Sequence, residues 1–252
     1  MRKILSLSSI ILGLALAPVA ARASDTLTLL FSDLEPYVVS TSNGVEGFLA
    51  HHLNQVGDEA GITINWQYIP WEQQIPLLKR KPPNVCGVGL FDIPERRSFL
   101  RFSVPIGKDY GIAVAVRKDD GRMVHDSLQD MLEDGDLTGM LQKNTSYGPI
   151  VDKILEGHEL IVSPDPTLRA MRDIVEGKAD YLLATAPTFE RLVPKYGFEN
   201  SLKIRSDLSD MQDHVLFFLG CTHTTPTSLT DRMDQILLQK GPVCPDGPCQ
   251  QD

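Results

Sequence analysis

The sequence lacks a second long apolar run. Residues 4–19 are almost wholly apolar, and no later stretch approaches the roughly 20 apolar residues that a membrane-spanning helix needs. Two basic residues precede the run, and Ala21-Arg22-Ala23 is the small-x-small pattern that signal peptidase recognises. These features predict a signal peptide over residues 1–23, cleaved after Ala23, and a periplasmic protein. The alternative, a retained membrane anchor, is disfavoured by the shortness of the run.

Positive charge is also scarce. Without its first 23 residues the chain has 229 residues, with 21 basic against 33 acidic side chains and a formal net charge of −12. Such an excess argues against nucleic acid or an anionic membrane surface as a partner. It does not argue against an anionic small molecule, because one arginine can dominate the potential of its own cleft. The length fits one large domain or two lobes of about a hundred residues each.

Motifs for covalent or metal catalysis are missing. The chain contains no G-x-S-x-G turn, phosphate-binding loop or H-E-x-x-H helix. A metal site that combined Cys221 and His223 with His51 and His52 would match no common zinc spacing, so we expect surface histidines beside a structural thiol. We therefore expect neither a metal nor a cofactor, and we predict that the protein is not an enzyme.

Cysteine is limited to four residues, all after the predicted cleavage site. Disulfides persist in exported proteins. The turn residues between Cys244 and Cys249 favour a local bridge, which would leave Cys86 to pair with Cys221. Three pairings of four cysteines are possible, and the sequence does not choose among them.

The apolar residues that are present alternate between strand and helix patterns. A buried strand over 27–31 is followed by a helix over 49–60, whose apolar residues recur at spacings of four and three. A second strand over 62–68, a short helix over 71–79 and a strand from Val85 complete the order that begins a parallel sheet. The alternation recurs in the second half of the chain. The pattern therefore predicts two α/β lobes without a long linker.

The segment from Asn84 to Ser103 contains the strongest indication of a binding site. Its strand of small and apolar residues suits the middle of a parallel sheet, and Pro-Glu-Arg-Arg follows, so that Arg96 lies just past the strand. Ligands of open α/β sheets bind at the carboxyl ends of the strands, where a guanidinium can hold a carboxylate through two hydrogen bonds. Arg96 is therefore the first candidate for a ligand contact. The alternative is that Arg96, like Arg97, is an exposed helix residue.

Several short motifs follow one another along nearly the whole chain after residue 23. They are Pro36-Tyr37, the glycine and phenylalanine element over 44–48, Pro70-Trp71 with Gln74 to Leu78, Pro94-Glu95-Arg96 within 85–103, Thr145 to Gly148, and Gly177 to Asp180. Each motif alone is weak. In this order after a signal peptide, they resemble the periplasmic (extracellular) solute-binding proteins of family 3, the substrate-binding type of amino-acid ABC transporters and of related sensor domains.

The resemblance implies an α/β fold with two lobes, the periplasmic-binding-protein-like fold of type II. Two parallel-type sheets flanked by helices would be joined by two crossover strands. Residues 24–108 and 212–252 would form the first lobe and residues 109–211 the second, and a hinge would close over a ligand that touches both. Cys86 and Cys221 would both lie in the first lobe, which makes their pairing reasonable.

The resemblance also implies a set of ligand-binding residues from both lobes. They are Glu35, Tyr37, Trp71, Phe91, Arg96, Gln142, Ser146, Tyr147 and Thr185. Arg96 would clamp a ligand carboxylate, and Trp71 would cover the ligand. Ser146 and Tyr147 follow a strand and open a helix, where free backbone N–H groups favour an anion.

Three departures from the family pattern bear on the ligand. Phe91 stands where amino-acid binders have a threonine for the carboxylate, and Ile93 stands at the threonine of the T-P-E-R element. Ala184 and Thr185 fall where those binders keep an aspartate for the amino group. The standard contacts to a free amino acid are thus incomplete. An aromatic or hydroxylated carboxylate is an alternative ligand, because Phe91 and Trp71 offer flat apolar surface.

The function implied is that of an exported, monomeric solute-binding protein. It would capture a small polar ligand, a carboxylate or an amino-acid-like compound, and deliver it to an inner-membrane ABC importer or a sensor. One alternative is a secreted lyase of the cyclohexadienyl dehydratase type acting on prephenate-like acids, with Glu35 or Glu95 as acid or base if burial raised its pKa. The other is an accessory exported protein without a transport role.

Overall fold

The computed structural model describes residues 25–109, 111–211, 214–245 and 247–249. The signal peptide predicted over residues 1–23 and its cleavage site lie outside the described residues. Within those four ranges, no helix is both long enough and apolar enough to cross a membrane.

The described residues alternate between strands and helices. The strands are β1 Thr26–Phe31, β2 Val39–Thr41, β3 Gly44–Glu46, β4 Thr63–Tyr68, β5 Val85–Leu90, β6 Leu100–Phe102, β7 Gly107–Asp109, β8 Ile112–Arg117, β9 Gly139–Gln142, β10 Ile161–Ser163, β11 Tyr181–Thr185, β12 Leu202–Arg205, β13 Val215–Thr222, β14 Val243–Cys244 and β15 Gly247–Pro248. The helices are α1 Phe48–Ala60, α2 Trp71–Lys79, α3 Pro94–Arg97, α4 Leu128–Glu133, α5 Pro149–Leu155, α6 Thr167–Val175, α7 Ala186–Lys195 and α8 Thr227–Lys240. The order predicted for the first part of the chain, from β1 through α1, β4 and α2 to β5, is confirmed.

An eight-stranded sheet organises the first lobe, which also contains helices α1, α2, α3 and α8. The strand order is β15-β14-β7-β13-β5-β1-β4, and β6 pairs with β13 beside that path. Because β1 runs parallel to both β4 and β5, the carboxyl ends of these three strands lie at one edge of the sheet. Helix α1 packs against α8, and α2 packs against β1 and β5.

A five-stranded sheet of order β10-β9-β11-β8-β12 organises the second lobe, with helices α4 to α7. Strand β9 runs parallel to β10 and β11. The chain passes from the first sheet to the second between Asp109 and Ile112, and it returns between Arg205 and Val215. The lobe boundaries at residues 108 and 211 stay a prediction.

The two-lobed α/β fold is confirmed, but both sheets are mixed rather than purely parallel. Strand β8 is antiparallel to β11 and β12, and β13 is antiparallel to β5, β6 and β7. Both strands follow a crossing between the lobes. Ile112 at the start of β8 pairs with Thr185 at the carboxyl end of β11. A strand that enters a sheet from the other lobe begins at that edge, so it runs against the strands that end there.

The apolar core is continuous across the two lobes. Its largest group of buried side chains includes Leu29 and Phe217 of the first lobe and Val114 and Val151 of the second. Strand β8 is buried on both faces. Ile112, Val114 and Val116 belong to this largest group, and the alternate residues Ala113 and Ala115 belong to a second group of buried apolar side chains in the second lobe. The lobes therefore contact each other through apolar as well as polar side chains.

The two disulfides are the pairs favoured above. Cys86 in β5 and Cys221 in β13 are directly opposite in an antiparallel pair, with their Cα atoms 3.9 Å apart. Cys244 and Cys249 close the hairpin of β14 and β15. The sulfur of Cys221 is bonded to another sulfur, so this residue is not available as a metal ligand.

Candidate functional site

The predicted site residues lie on or just after the carboxyl ends of parallel strands, where the two lobes meet. In the first lobe these strands are β1, β4 and β5, and in the second lobe they are β9 and β11. The residues placed there are Glu35 and Tyr37 after β1, Trp71 after β4, Phe91 and Arg96 after β5, Gln142, Ser146 and Tyr147 at or after β9, and Thr185 at the end of β11. We call this region the interlobe contact.

Arg96 brings a positive charge into the interlobe contact. It lies on the short helix α3, and only 5% of its surface is exposed. Its Nη1 donates to the carbonyl oxygen of Phe91 (3.3 Å), and its Nη2 donates to the carbonyl oxygen of Asn144 in the second lobe (3.1 Å). No carboxylate among the described residues forms an ion pair with it. The guanidinium is therefore a buried cation whose hydrogen-bond acceptors are backbone carbonyls.

Burial acts on the charge of Arg96. It lowers the pKa of the guanidinium, and the negative charges of Asp152 and Glu95 act in the opposite direction. The side chain nevertheless stays ionised at neutral pH, because an arginine guanidinium is not deprotonated in proteins. The interlobe contact thus holds a permanent positive charge.

Trp71 also reaches across the two lobes. Its indole N–H is shared between the carbonyl oxygen of Lys143 and the hydroxyl of Thr145, both at 2.9 Å. Its ring packs against the buried apolar side chains of the first lobe that surround Leu78. Trp71 therefore combines a packing role with a polar contact to the second lobe.

Asn144 is placed by a local feature of helix α2. The amide Nδ2 of Asn144 donates to the carbonyl oxygen of Glu72 (3.1 Å). Pro76 lies four residues later in α2 and has no backbone N–H. The carbonyl oxygen of Glu72 therefore lacks the hydrogen bond that the residue four positions later normally donates in a helix. Asn144 itself has a φ of 60°, which asparagine tolerates better than most residues. Its amide and its carbonyl thus both contact the first lobe.

Tyr37 forms a neutral contact between the lobes. The side chain is fully buried, and its hydroxyl lies 2.8 Å from the hydroxyl of Thr185, which in turn lies 2.8 Å from that of Thr188. The ring meets Phe217 edge to face with ring centroids 5.1 Å apart. Phe91 stacks on the same Phe217, with centroids 5.4 Å apart. Phe91 therefore packs beside the cleft, as its apolar character indicates.

Glu35 links the first lobe to helix α7 of the second. Its carboxylate accepts hydrogen bonds from Arg191 (3.2 Å) and from Lys195. Burial by itself raises the pKa of Glu35, but the hydrogen bonds and charges of Lys195 and Arg191 outweigh it and hold the pKa below the ordinary value. Glu35 is thus a stable carboxylate held between two cations.

The lyase alternative required a glutamate whose pKa is raised by burial. The pKa of Glu35 is shifted in the other direction. The side chain of Glu95 is 73% exposed and pairs with Lys79, so it is not buried either. Neither glutamate has the property that this alternative needs.

Ser146 and Tyr147 do not present free donors to the cleft. The hydroxyl of Ser146 donates to Oδ2 of Asp152 (2.5 Å), and the backbone N–H of Tyr147 donates to Oδ1 of the same carboxylate (2.7 Å). The hydroxyl of Tyr147 accepts from the backbone N–H of Gln142 (2.8 Å), and burial raises its pKa. Helix α5 begins only at Pro149, so both residues precede the helix that they were predicted to open.

A comparison with protein families assigns the chain. The model of the bacterial extracellular solute-binding proteins, family 3, matches residues 29–238. The chain belongs to this family. The match includes both lobes and every predicted site residue, and it confirms the resemblance drawn from the order of the motifs. A comparison with curated proteins found no match.

Solved structures of similar fold support the two-lobed architecture. The arginine-bound form of truncated ArgBP from T. maritima is 19% identical, with 85% of this chain and 95% of that chain covered and a TM-score of 0.66. EhuB in complex with hydroxyectoine is 18% identical, with 85% and 82% covered and a TM-score of 0.69. A histidine kinase sensor domain with similarity to periplasmic binding proteins is 18% identical, with 86% and 91% covered and a TM-score of 0.71. At these identities the likeness shows the fold alone.

Four residues of the interlobe contact were missed from the sequence. Asn144 was not among the predicted site residues, although Pro76 leaves the carbonyl of Glu72 in the facing helix without its usual helical donor. Arg191 and Lys195 are two cations four residues apart on α7, a spacing that places them on one face. Asp152 follows Ser146 by six residues and matches no local motif.

The described part of the chain contains no group of three or more His, Cys, Asp or Glu residues that could hold a metal ion. Around Arg96, the polar groups of the interlobe contact are a guanidinium, an indole, hydroxyls and backbone carbonyls, and the carboxylate of Glu35 is already paired with Arg191 and Lys195. Such groups can bind and orient an organic anion, and they can pair with its hydrogen-bonding groups.

Proposed function

We propose that this chain is an exported, non-enzymatic binding protein that captures a small carboxylate-containing solute between its two lobes. Arg96 is the observation on which the proposal rests. It is ionised and buried, it reaches from one lobe to the other, and its acceptors are carbonyl oxygens. A charged acceptor binds a guanidinium more strongly than a neutral one does. A ligand carboxylate that replaces the carbonyl of Asn144 is therefore favoured.

Closure would follow from the same geometry. Arg96 and Trp71 belong to the first lobe, and their partners between residues 143 and 145 belong to the second. A ligand bound to Arg96 would replace some of these contacts, and the second lobe would close onto the ligand. The two chain crossings are the natural hinge, because a hinge motion needs only a few residues to change their backbone angles.

The ligand would be an amino-acid-like compound rather than a flat aromatic acid. Phe91, the residue that suggested aromatic ligands, is stacked on Phe217 and is 8% exposed. The proteins of similar fold include ArgBP in an arginine-bound form and EhuB in complex with hydroxyectoine, and an amino-acid-like ligand is in keeping with them.

Delivery of the ligand would be to an inner-membrane ABC importer or to a sensor. The family is one of extracellular solute-binding proteins, and sensor domains of histidine kinases share the fold. We further propose that residues 1–23 are a signal peptide, that the protein works as a monomer in the periplasm, and that its two disulfides form there.

A thermal-shift screen of the purified protein tests the proposal. The panel contains amino acids, hydroxy and aromatic carboxylates, polyamines and small sugars. At one hundred times its dissociation constant, a ligand adds about 2.7 kcal/mol to stability, which corresponds to several degrees for a chain of this size. We expect a shift with one class of carboxylate. Shifts confined to compounds without a carboxylate, or no shift at all, would contradict the proposal.

The same preparation tests the enzymatic alternative. We expect no loss of prephenate or arogenate after long incubation with the protein. Formation of the dehydrated product would establish a lyase and would replace the binding function as the main one.

A further inference from the structure

An open pocket lies on the first lobe, apart from the interlobe contact. Its volume is about 390 Å³, within the range of roughly 300 to 1,000 Å³ that small-molecule sites occupy. The residues that line it come from α3, β6 and the segments just before α3 and just after β13, and they are Asp92, Arg97, Leu100, Arg101, Phe102 and His223. All six belong to the first lobe. We call this region the flank pocket.

The strand pairing places Arg101 away from the cleft. Arg101 in β6 pairs with Cys221 in β13, and Cys221 pairs with Cys86 near the start of β5. The interlobe contact lies past the opposite end of β5, where Phe91 follows the strand. The stretch from Cys86 to Phe91 spans about 16 Å when it is extended. A ligand held by Arg101 therefore binds outside the interlobe contact.

Arg101 has hydrogen-bonding capacity that the fold does not use. A guanidinium carries five N–H donors. The Nη2 of Arg101 donates to the carbonyl oxygen of Thr225 at 2.7 Å. Among the described residues, neither its Nη1 nor its Nε, which is buried, has an acceptor. A buried donor of a charged group without a partner costs free energy. An anion that accepts from Nη1 would offset part of this cost through its charge.

The balance of charge in the flank pocket is positive. Arg97 donates from Nε (2.6 Å) and Nη2 (2.7 Å) to the two oxygens of Asp92, so the one carboxylate among the described lining residues is already paired. Arg101 forms an ion pair with no carboxylate of the described residues. The charge of Asp234 acts on Arg101 from beyond ion-pair distance, and its Oδ1 accepts from the backbone N–H of Val104 (3.0 Å). The pocket thus attracts anions, although the chain after residue 23 has a formal net charge of −12.

The donors of the flank pocket come from three separate segments. Arg97 lies on α3, Arg101 lies on β6, and His223 is an exposed residue in the turn after β13. A phosphate group has three terminal oxygens and a charge of about −1.5 to −2, so it can accept from several directions. A planar carboxylate has two oxygens and a single charge. The partly buried ring of Phe102 adds an apolar surface for the organic part of a ligand.

We propose that the flank pocket is a second binding site, which takes a phosphate monoester with a flat apolar group. The phosphate binds Arg101 and His223 beside the paired Arg97, and the apolar group packs on Phe102. This site goes beyond the proposed function, and it does not depend on what the interlobe contact binds.

Phosphorus NMR with phenyl phosphate as the probe tests the site. Titration of the purified protein should give saturable line broadening with a dissociation constant below about 1 mM. Inorganic phosphate should bind about threefold more weakly, because it has no ring to pack on Phe102. Benzoate should displace phenyl phosphate only at concentrations about tenfold higher, because its charge is smaller. No saturation by phenyl phosphate, or equal affinity for benzoate, overturns the assignment of a phosphate site.

Variants locate the probe. Arg101→Gln should weaken phenyl phosphate by about tenfold or more, because a charge-assisted hydrogen bond is lost. His223→Ala changes an exposed turn and keeps the test valid if Arg101→Gln does not fold; it should weaken the probe about threefold. Arg172→Gln is the matched control, since it removes an exposed arginine of α6 in the second lobe, and it should leave the affinity unchanged. Native affinity in both Arg101→Gln and His223→Ala overturns the site.

Arg96→Ala separates the two sites. It should bind phenyl phosphate as the native protein does, because Arg96 is not among the residues that line the flank pocket. Loss of the probe in this variant alone would place the phosphate in the interlobe contact and would overturn the flank pocket as a second site. A failure of every carboxylate to bind would contradict the proposed function and leave the flank pocket standing.

Discussion

The interlobe contact has two ends with different chemistry. At the Arg96 end, a guanidinium and the indole of Trp71 donate to backbone carbonyls and a hydroxyl of the loop after β9. At the Glu35 end, a carboxylate accepts from Arg191 and Lys195 of α7. Both ends join the same two lobes.

The two ends differ most in their exposure to water. Arg96 is 5% exposed, whereas the side chains of Arg191 and Lys195 are 62% and 43% exposed. A buried hydrogen bond is strong, and a buried polar group without a partner costs free energy. An exposed ion pair is weaker, because water and salt screen it. The difference supports the proposal that a ligand would be recognised at the Arg96 end, whereas the Glu35 end would contribute only a small amount to closure.

The largest expected effect is the loss of binding in Arg96→Ala. Removal of the guanidinium should weaken the binding of carboxylate ligands by about 3 kcal/mol, roughly a hundredfold in affinity, because a charge-assisted contact is lost. Arg97→Ala is the matched control, since Arg97 is exposed and pairs with Asp92. It should bind as the native protein does. Equal affinities for both variants in titration calorimetry would remove Arg96 from the site.

Trp71→Phe should have the next largest effect. The ring and its packing remain, but the N–H that contacts the second lobe is lost, which should reduce ligand affinity by about 1 kcal/mol, close to fivefold. Trp66→Phe provides the comparison, because the indole N–H of Trp66 donates to Asn54 within the first lobe. The Trp66 variant should be less stable with unchanged affinity. If both variants lost affinity equally, the cross-lobe bond of Trp71 would have no special role.

Tyr37→Phe should act on stability rather than on charge recognition. The hydroxyl contact to Thr185 is lost, while Thr185 keeps its contact with Thr188. The free energy of unfolding in urea should fall by about 1 kcal/mol, and this loss should be the same at low and high salt, because no charge is involved. A loss that vanished at high salt would show that the contact acts through a charge instead.

Glu35→Gln should have the smallest effect. The free energy of unfolding should fall by less than about 1 kcal/mol, because Arg191 and Lys195, the cations that pair with Glu35, are exposed to solvent. The effect should disappear in about 1 M salt, where the screening length is about 3 Å. The sign of its pH dependence follows from the lowered pKa of Glu35: the stabilising contribution is present above the ordinary pKa of 4.5 and is lost as the pH falls through the folded-state pKa. Urea unfolding of the native protein and the variant between neutral and acidic pH measures how their difference in unfolding free energy depends on pH. A difference that grew on acidification would contradict the assignment.

The sequence predicted the parts of this molecule that depend on local pattern. The strand from Val85 and the position of Arg96 just after it follow from apolar periodicity and from the place where α/β sheets bind ligands. The helix over Trp71–Lys79 was predicted despite Pro76, and the structure confirms it. The local bridge between Cys244 and Cys249 followed from the turn residues inside it.

The parts that could not be predicted depend on how the two lobes meet. Whether the carbonyl of Asn144 faces Arg96, or whether Arg191 faces Glu35, is decided by the angle between the lobes and not by any local pattern. The mixed character of the sheets has the same origin. Strands β8 and β13 enter their sheets from the other lobe, and they therefore run antiparallel to β11 and β5. The carboxylate of Asp152 is a third case, since it reaches back across the turn to Ser146.

A structure of the protein with the best ligand from the carboxylate panel tests the central claim most directly. The account predicts a ligand between the lobes, with its carboxylate oxygens about 2.7 to 2.9 Å from the guanidinium nitrogens of Arg96, in place of the contact from Arg96 to Asn144. A ligand bound outside the interlobe contact, or one within it whose carboxylate does not touch Arg96, would contradict the account.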